Sequence, residues 1–222
     1  PDADYKPSEF EELSDYGTRM ITKTVTFRTI GTGDTIYVNK DGKSTNQGTS
    51  YEDAVDFQTA LNFAAAGQTI LLYPETYDMS GKEFTVARGR DGSEEKPINV
   101  TGDGGYATFD FGRRGSGLTS WGDYWNYSYI NITATKDGLK GMQLSGSHCK
   151  LERMNFYNNG TTGLQISGSS SDTIEKWPSY NTVLNCTSIN NVDSVMEDAD
   201  GFAAKLTSGV GNVFDGCISA YN

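Results

Sequence analysis

The most chemically loaded stretch of the chain is Asp193-Ser-Val-Met-Glu-Asp-Ala-Asp-Gly201, where Asp193, Glu197, Asp198 and Asp200 bring four carboxylates into eight residues. Oxygen-rich clusters on loops are what Ca²⁺ takes as ligands, at about 2.3–2.6 Å. The spacing is not that of an EF-hand, because the D-x-D-x-D-G…E pattern is missing. The alternative is a solvated acidic loop on an acidic protein. Elsewhere the chemistry is sparse. His148 is the single histidine, which excludes a mechanism or metal site built on several. Cys149, Cys186 and Cys217 lie far apart with no CxxC pair, so a zinc site lacks the close ligand pair it needs. Cys186 and Cys217 each fall inside an apolar–polar alternation and read as small hydrophobes filling a core.

The whole-chain balance narrows the partners. With 18 Lys+Arg against 29 Asp+Glu the formal net charge is −11. That argues against nucleic acid or an anionic membrane, both of which need a basic face. Hydrophobic residues make up 36% and aromatics 12%, polar for a globular protein but too aromatic for disorder. No apolar run approaches the roughly 20 residues a membrane span needs. No basic region followed by an apolar one opens the sequence, so an export signal is expected to have been removed or never to have existed. Cysteine usage does not settle the compartment.

The elements that must position the acidic cluster follow from periodicity. Residues 1–33 carry acidic and turn residues and then an alternating stretch, Met20 to Ile30, that reads as a strand; together they are expected to form an N-terminal arm. Thr35 to Val38 reads as a second strand. Tyr51 to Ala66 is the one good helix candidate: Ala54, Phe57, Leu61 and Phe63–Ala64 make an apolar stripe, Ser50 with Asp53 resembles a capping box, and Gly67 stops it. QTILLYPETYD then reads as strand and turn.

Beyond about residue 96 the helical period vanishes and short β segments recur. Gly141-Met-Gln-Leu-Ser-Gly146, Gly163-Leu-Gln-Ile-Ser-Gly168 and Gly201-Phe-Ala-Ala-Lys-Leu206 align, their starts 22 and 38 residues apart. A second series aligns as LERMNFYNNG from Leu151, TVLNCTSINN from Thr182 and VFDGCISAYN from Val213. Recurrence of both series, ending on Asn, describes the coils of a right-handed parallel β-helix, over residues 34–222, with the 54–66 helix capping its N-terminal end. A β-sandwich of short strands is the alternative. Asn suits the turns because it tolerates positive φ and stacked amides bond along the axis. Alternation sends Met142, Leu144, Leu164, Ile166, Phe202, Ala204 and Leu206 inward. It leaves Gln143, Gln165 and Ala203 as one outward row and Ser145, Ser167 and Lys205 as the next, a groove suited to an extended polymer.

The run Glu197-Asp-Ala-Asp-Gly-Phe-Ala-Ala-Lys-Leu206, with Gly211-Asn-Val-Phe-Asp-Gly-Cys217 after it, resembles the family 9 polysaccharide lyases, the pectate lyase and rhamnogalacturonan lyase group built on a parallel β-helix. TIYVNKDG, the capping helix and GQTILLYPETYD look like the same family, so the match covers roughly residues 35 to 222. The resemblance implies calcium-dependent β-elimination on the uronic-acid backbone of pectin, by a secreted, periplasmic or cell-surface bacterial enzyme acting as a monomer, with no nucleic acid and no membrane span. It implies Asp200 as a Ca²⁺ ligand, with Asp198 and Glu197 as further candidates. Neutralising the carboxylate next to C5–H is what makes proton removal feasible.

The sequence departs from the family pattern because it stops at Asn222. The second acidic cluster and the lysine base that the family pattern leads one to expect would follow that residue. VFDGCISAYN ends with its alternation still running. The segment is therefore expected to be the N-terminal part of a longer enzyme and to be inactive alone. Lys205 sits on the wrong coil to be the family's base, and is either a contact to a substrate carboxylate or an exposed structural lysine. A non-catalytic polysaccharide-binding β-helix and a β-helix glycoside hydrolase with paired carboxylates remain alternatives.

Overall fold

The computed structural model describes residues 33–196 and 199–222. The expected N-terminal arm and its strand therefore lie almost wholly outside the described residues, as do Glu197 and Asp198.

The described chain opens with β1 (Thr35–Val38) and α1 (Phe57–Phe63), then completes a coil with β2 (Thr69–Leu72), β3 (Thr76–Asp78) and β4 (Phe84–Val86). The next coil is β5 (Ile98–Gly102), β6 (Ala107–Asp110) and β7 (Leu118–Ser120), followed by β8 (Trp125–Ser128), β9 (Ile130–Thr133) and β10 (Met142–Leu144). Then come β11 (Lys150–Glu152), β12 (Asn155–Tyr157) and β13 (Leu164–Ile166), and after an insertion β14 (Thr182–Leu184), β15 (Thr187–Ile189) and β16 (Phe202–Ala204). β17 (Val213–Asp215) and β18 (Ile218–Ala220) end the series. Corresponding strands stack into three parallel sheets, ordered β1-β2-β5-β8-β11-β14-β17, β3-β6-β9-β12-β15-β18 and β4-β7-β10-β13-β16. The two series seen in the sequence thus hold three strands per coil, since LERMNFYNNG and its counterparts each fold as two strands about a bend.

Stacking in register turns sequence alternation into continuous apolar columns. In the first sheet Ile36, Ile70, Val100, Tyr127, Leu151 and Val183 lie one above another, all fully buried. Each such side chain contributes about 1.5–3 kcal/mol of burial free energy. The Tyr127 hydroxyl, at the centre of this column, donates to Ser120 Oγ at 2.8 Å, which satisfies the one polar atom it carries inward.

The helix is shorter than the stripe from Tyr51 to Ala66 predicts. It spans only Phe57–Phe63, and its N-cap is Asp56, whose Oδ1 accepts from the Thr59 amide at 2.9 Å. Ser50 and Asp53 make no capping box; Asp53 Oδ2 instead accepts from the Gln47 amide and the Thr49 hydroxyl, closing the preceding turn. Val55 is drawn out of the helix by a bridge to Val38. α1 does cover the end of the solenoid: Phe57 packs on Phe84 and Phe109 with ring centroids 5.4 and 4.6 Å apart.

Burial at β16, the last strand of the third sheet, departs from strict alternation. Met142, Leu144, Leu164 and Ile166 are fully buried as expected, and Phe202 packs partly against the core. Ala204 is exposed and Leu206 is 82% exposed. Leu206 follows β16 with φ of +60°, so the alternation has already broken at that residue.

Candidate functional site

Asp200 and Lys205 bracket β16. Asp200 precedes the strand and its carbonyl accepts from the Gly163 amide at 2.9 Å, which ties the end of the acidic turn to the neighbouring coil. Gly201 is buried, and its carbonyl accepts from Leu164 N at 3.1 Å and from the Ser188 hydroxyl at 2.7 Å. Across the strand's length Lys205 Nζ reaches back to Asp200 Oδ2 at 2.7 Å, with the two side chains 34% and 44% exposed. A half-exposed pair of this kind contributes only about 0–1 kcal/mol to stability.

The start of the acidic turn is held separately. Asp137, on the turn between β9 and β10, accepts from the Ser194 amide at 2.7 Å and from the Ser194 hydroxyl at 2.6 Å. These two bonds, the hydroxyl first, hold the Asp137 carboxyl below the usual aspartate range. Nothing in the sequence spacing announces this contact between residues 57 apart, because it depends on how two turns of unequal length meet.

The outward rows have the expected register and an unexpected accessibility. Gln143 pairs with Gln165, and Gln165 with Ala203, in adjacent parallel strands. Ser167 N donates to Leu144 O and Ser145 N to Ser120 O, which carries the next column past the strand ends. However, Gln165, Ala203, Ser145 and Ser167 are all buried rather than groove-lining, with Gln165 only 5% exposed. They are satisfied locally: Gln165 Nε2 donates to Ser167 Oγ at 2.7 Å and Ser145 Oγ donates to Ser167 O at 2.6 Å. The insertion between β13 and β14 folds back beside them, bringing Trp177 and Pro178 against Gly168. The open part of this face lies over β4, β7 and β10, where Thr85, Thr119 and Gln143 are half-buried.

For a divalent cation, Asp200 offers a carboxylate on a turn whose backbone is fixed. Among the described residues no three His, Cys, Asp or Glu side chains come together as a metal cage, whereas Ca²⁺ takes about 6–8 oxygens. The described donors therefore amount to one ligand and not to a complete site. The three cysteines are free thiols; Cys186 is buried as the alternation implies, Cys217, expected in the core as well, is only partly buried because it lies in the last coil, and Cys149 is buried too. Burial pushes the Cys149 thiol up to about 12, as expected of an inert core thiol. His148 lies stacked between Tyr124 and Tyr180, with ring centroids 4.8 and 5.2 Å away, a packing role on three successive coils.

Three parallel sheets wound from one repeating coil, with a carboxylate turn at the edge of the third sheet, define a parallel β-helix protein. The chain belongs to the Pel9A-like right-handed β-helix family, whose model matches residues 36–222. It is 38% identical over 218 residues to pectate lyase L of Thermoclostridium stercorarium, covering 97% of this chain and 17% of that protein. It is 36% identical to pectate lyase L of Dickeya chrysanthemi, covering 82% of this chain and 43% of that one. The crystal structure of pectate lyase Pel9A superposes with a TM-score of 0.71 at 33% identity, covering 85% of this chain and 48% of that chain. A rhamnogalacturonan lyase shares the fold at a TM-score of 0.62 and 19% identity. The chain thus spans less than half the length of these pectate lyase relatives. Among the described residues no helix is long and apolar enough to cross a membrane.

Proposed function

We propose that this chain carries part of the substrate-binding and calcium-binding face of an extracellular polysaccharide lyase that cleaves pectin by β-elimination. The observation that carries the proposal is the Asp200–Lys205 pair at the two ends of β16, in a chain whose relatives are named pectate lyase. Those relatives favour polygalacturonate over rhamnogalacturonan I, since the rhamnogalacturonan lyase shares only the fold.

β-Elimination removes the proton at C5, next to the uronate carboxylate, and the developing charge spreads onto that carboxylate. Positive charge held beside it lowers the barrier. Lys205 supplies one such charge, its ammonium oriented by Asp200 and half open to solvent. Asp200 is one carboxylate ligand for Ca²⁺, which adds fixed positive charge at the same place when bound. Glu197 and Asp198, next to it in sequence, are the further ligand candidates. No proton acceptor is assigned among the described residues.

Titration calorimetry with CaCl₂ tests the metal assignment. Asp200→Asn is expected to weaken Ca²⁺ binding by at least about tenfold, as loss of one charged ligand implies, with an unchanged circular dichroism spectrum. Wild-type Ca²⁺ affinity in that variant would remove Asp200 from the site. Calorimetric binding of polygalacturonate against rhamnogalacturonan I to this chain separates one polymer from the other, and equal binding of both would remove the preference for polygalacturonate.

A further inference from the structure

The insertion between β13 and β14 has two anchored roots and an unanchored middle. Residues 167–181 stand where the two preceding coils make do with the short turns 145–149 and 121–124. At the first root the Gly168 amide donates to Thr207 O at 3.1 Å. At the second, Pro178 is buried and its carbonyl accepts from the Gly209 amide at 3.0 Å. Between the roots run Gly168-Ser-Ser-Ser171, a composition that bends freely, and one turn of 3₁₀ helix, Ile174–Lys176. No residue from 169 to 177 is buried, and Ile174 is 65% exposed.

The middle is held from far away. Asp172 Oδ2 accepts from Arg88 Nη2 at 2.6 Å, across 84 residues of sequence. The backbone amides of Asp172, Lys176 and Trp177 bond locally, to Ser169 O, Thr173 O and Ile174 O, and Trp177 Nε1 donates to Asp172 O at 3.3 Å. Arg88 lies two residues beyond β4, three strands from β13 in the third sheet, which at about 4.8 Å per coil is roughly 14 Å along the axis. Its guanidinium is itself fixed from below: Cζ lies 4.0 Å from the centroid of the Trp121 ring. Trp121 is seated in turn by its backbone N–H, bonded to Val86 O at 3.0 Å. The Asp172 side chain is 16% exposed and Arg88 49%, so loss of the cation leaves a largely covered carboxylate without its partner. A carboxylate left in that state favours the open loop, where water reaches it.

We infer that residues 169–177 form a strap, clasped shut by the Arg88–Asp172 pair on the Trp121 ring, which opens as a unit while the coils beneath it stay folded. A segment with no buried side chain opens at a cost set by its few fixed contacts, so one clasp decides its closure. Trp177 and Pro178, at the strap's second root, pack against Gly168 directly after Ser167. The strap is thus the movable border of the third-sheet face at the end of β13. Amide exchange followed by NMR, together with trypsin cleavage after Lys176, tests this on the wild-type chain, Arg88→Ala, Asp172→Ala and the double variant. Each single substitution is expected to accelerate exchange of the Lys176 and Trp177 amides, and the cleavage, on the order of fivefold, the worth of a half-exposed ion pair with a cation–π stack. The double variant should open no further than either single one, because both remove the same clasp. Amides within β10 and β13 should exchange as in the wild type. Strap amides indifferent to the substitutions, additive effects in the double variant, or equal acceleration in β10 and β13 would each overturn the clasp.

Discussion

Gly141, Gly163 and Gly201 open the three repeats that the sequence displays, and the reason is space. A Cβ on Gly141 would sit 2.7 Å from Asn159 Nδ2, one on Gly163 2.9 Å from Asn191 Nδ2, and one on Gly201 2.6 Å from Asn222 Nδ2. Each glycine is the flat seat for the amide of the asparagine on the equivalent turn of the next coil, Asn159 and Asn191 being fully buried, so the glycine and asparagine patterns are two halves of one constraint. Gly163→Ala must also push against Gly201 O at 2.8 Å, a backbone atom that cannot rotate away. The expected cost is about 1–3 kcal/mol, as for overpacking generally, read as a lower midpoint in chemical denaturation at unchanged slope. A neutral Gly163→Ala would show that the two coils can separate without penalty.

At the scale of elements, amide ladders and turn tethers set what each turn can do. Asn159 Nδ2 donates to Asn191 Oδ1 and Asn191 Nδ2 to Asn222 Oδ1, both at 2.9 Å, while the oxygens also accept from backbone amides of the preceding coil. These bonds satisfy a buried turn that offers no strand ladder of its own. Beyond Asn191 the acidic turn is tethered through Ser194 to Asp137. Because the Asp137 carboxyl is held low by its bonds to Ser194, the tether is fully present above the ordinary aspartate range and is lost as pH falls through the lowered value. Exchange of the Ser194 amide, followed by NMR, is therefore expected to accelerate on acidification, beyond the intrinsic pH trend, only below that range. In Asp137→Ala it should be severalfold faster at neutral pH. An exchange rate indifferent to Asp137 would mean that the turn is held by other contacts.

For the molecule as a whole, a solenoid distributes its stability along one axis. Central coils have neighbours on both sides, and Tyr127, Leu151, Phe156 and Ile166 are fully buried there. In the last coil Val213, Phe214 and Ile218 are exposed by 49%, 37% and 59%. Amide exchange is accordingly expected to be slowest in β8 to β13 and fastest in β16 to β18, since local opening costs least where the fewest apolar contacts break. α1, wedged by Phe57 between the first coils, should protect β1 and β4 better than the last coil is protected. Uniform protection from β1 to β18 would contradict a coil-by-coil distribution of stability.

The sequence alone was enough for the coil, its register and its inward columns, because period-two alternation and the Gly–Asn spacing are local rules repeated on every turn. Thr35–Val38 and the pairing of Gln143 with Gln165 and Ala203 were legible for that reason. The family was legible as a motif. The helix bounds were not, since the bridge from Val55 to Val38 is a contact between distant segments that overrides a local apolar stripe. Nor was the burial of Gln165 and Ser167, or the meeting of Arg88, Trp121 and Asp172, which spans 84 residues of sequence. Alternation tells which way a side chain points from its own strand. Only the packing of insertions from other coils decides what then covers it.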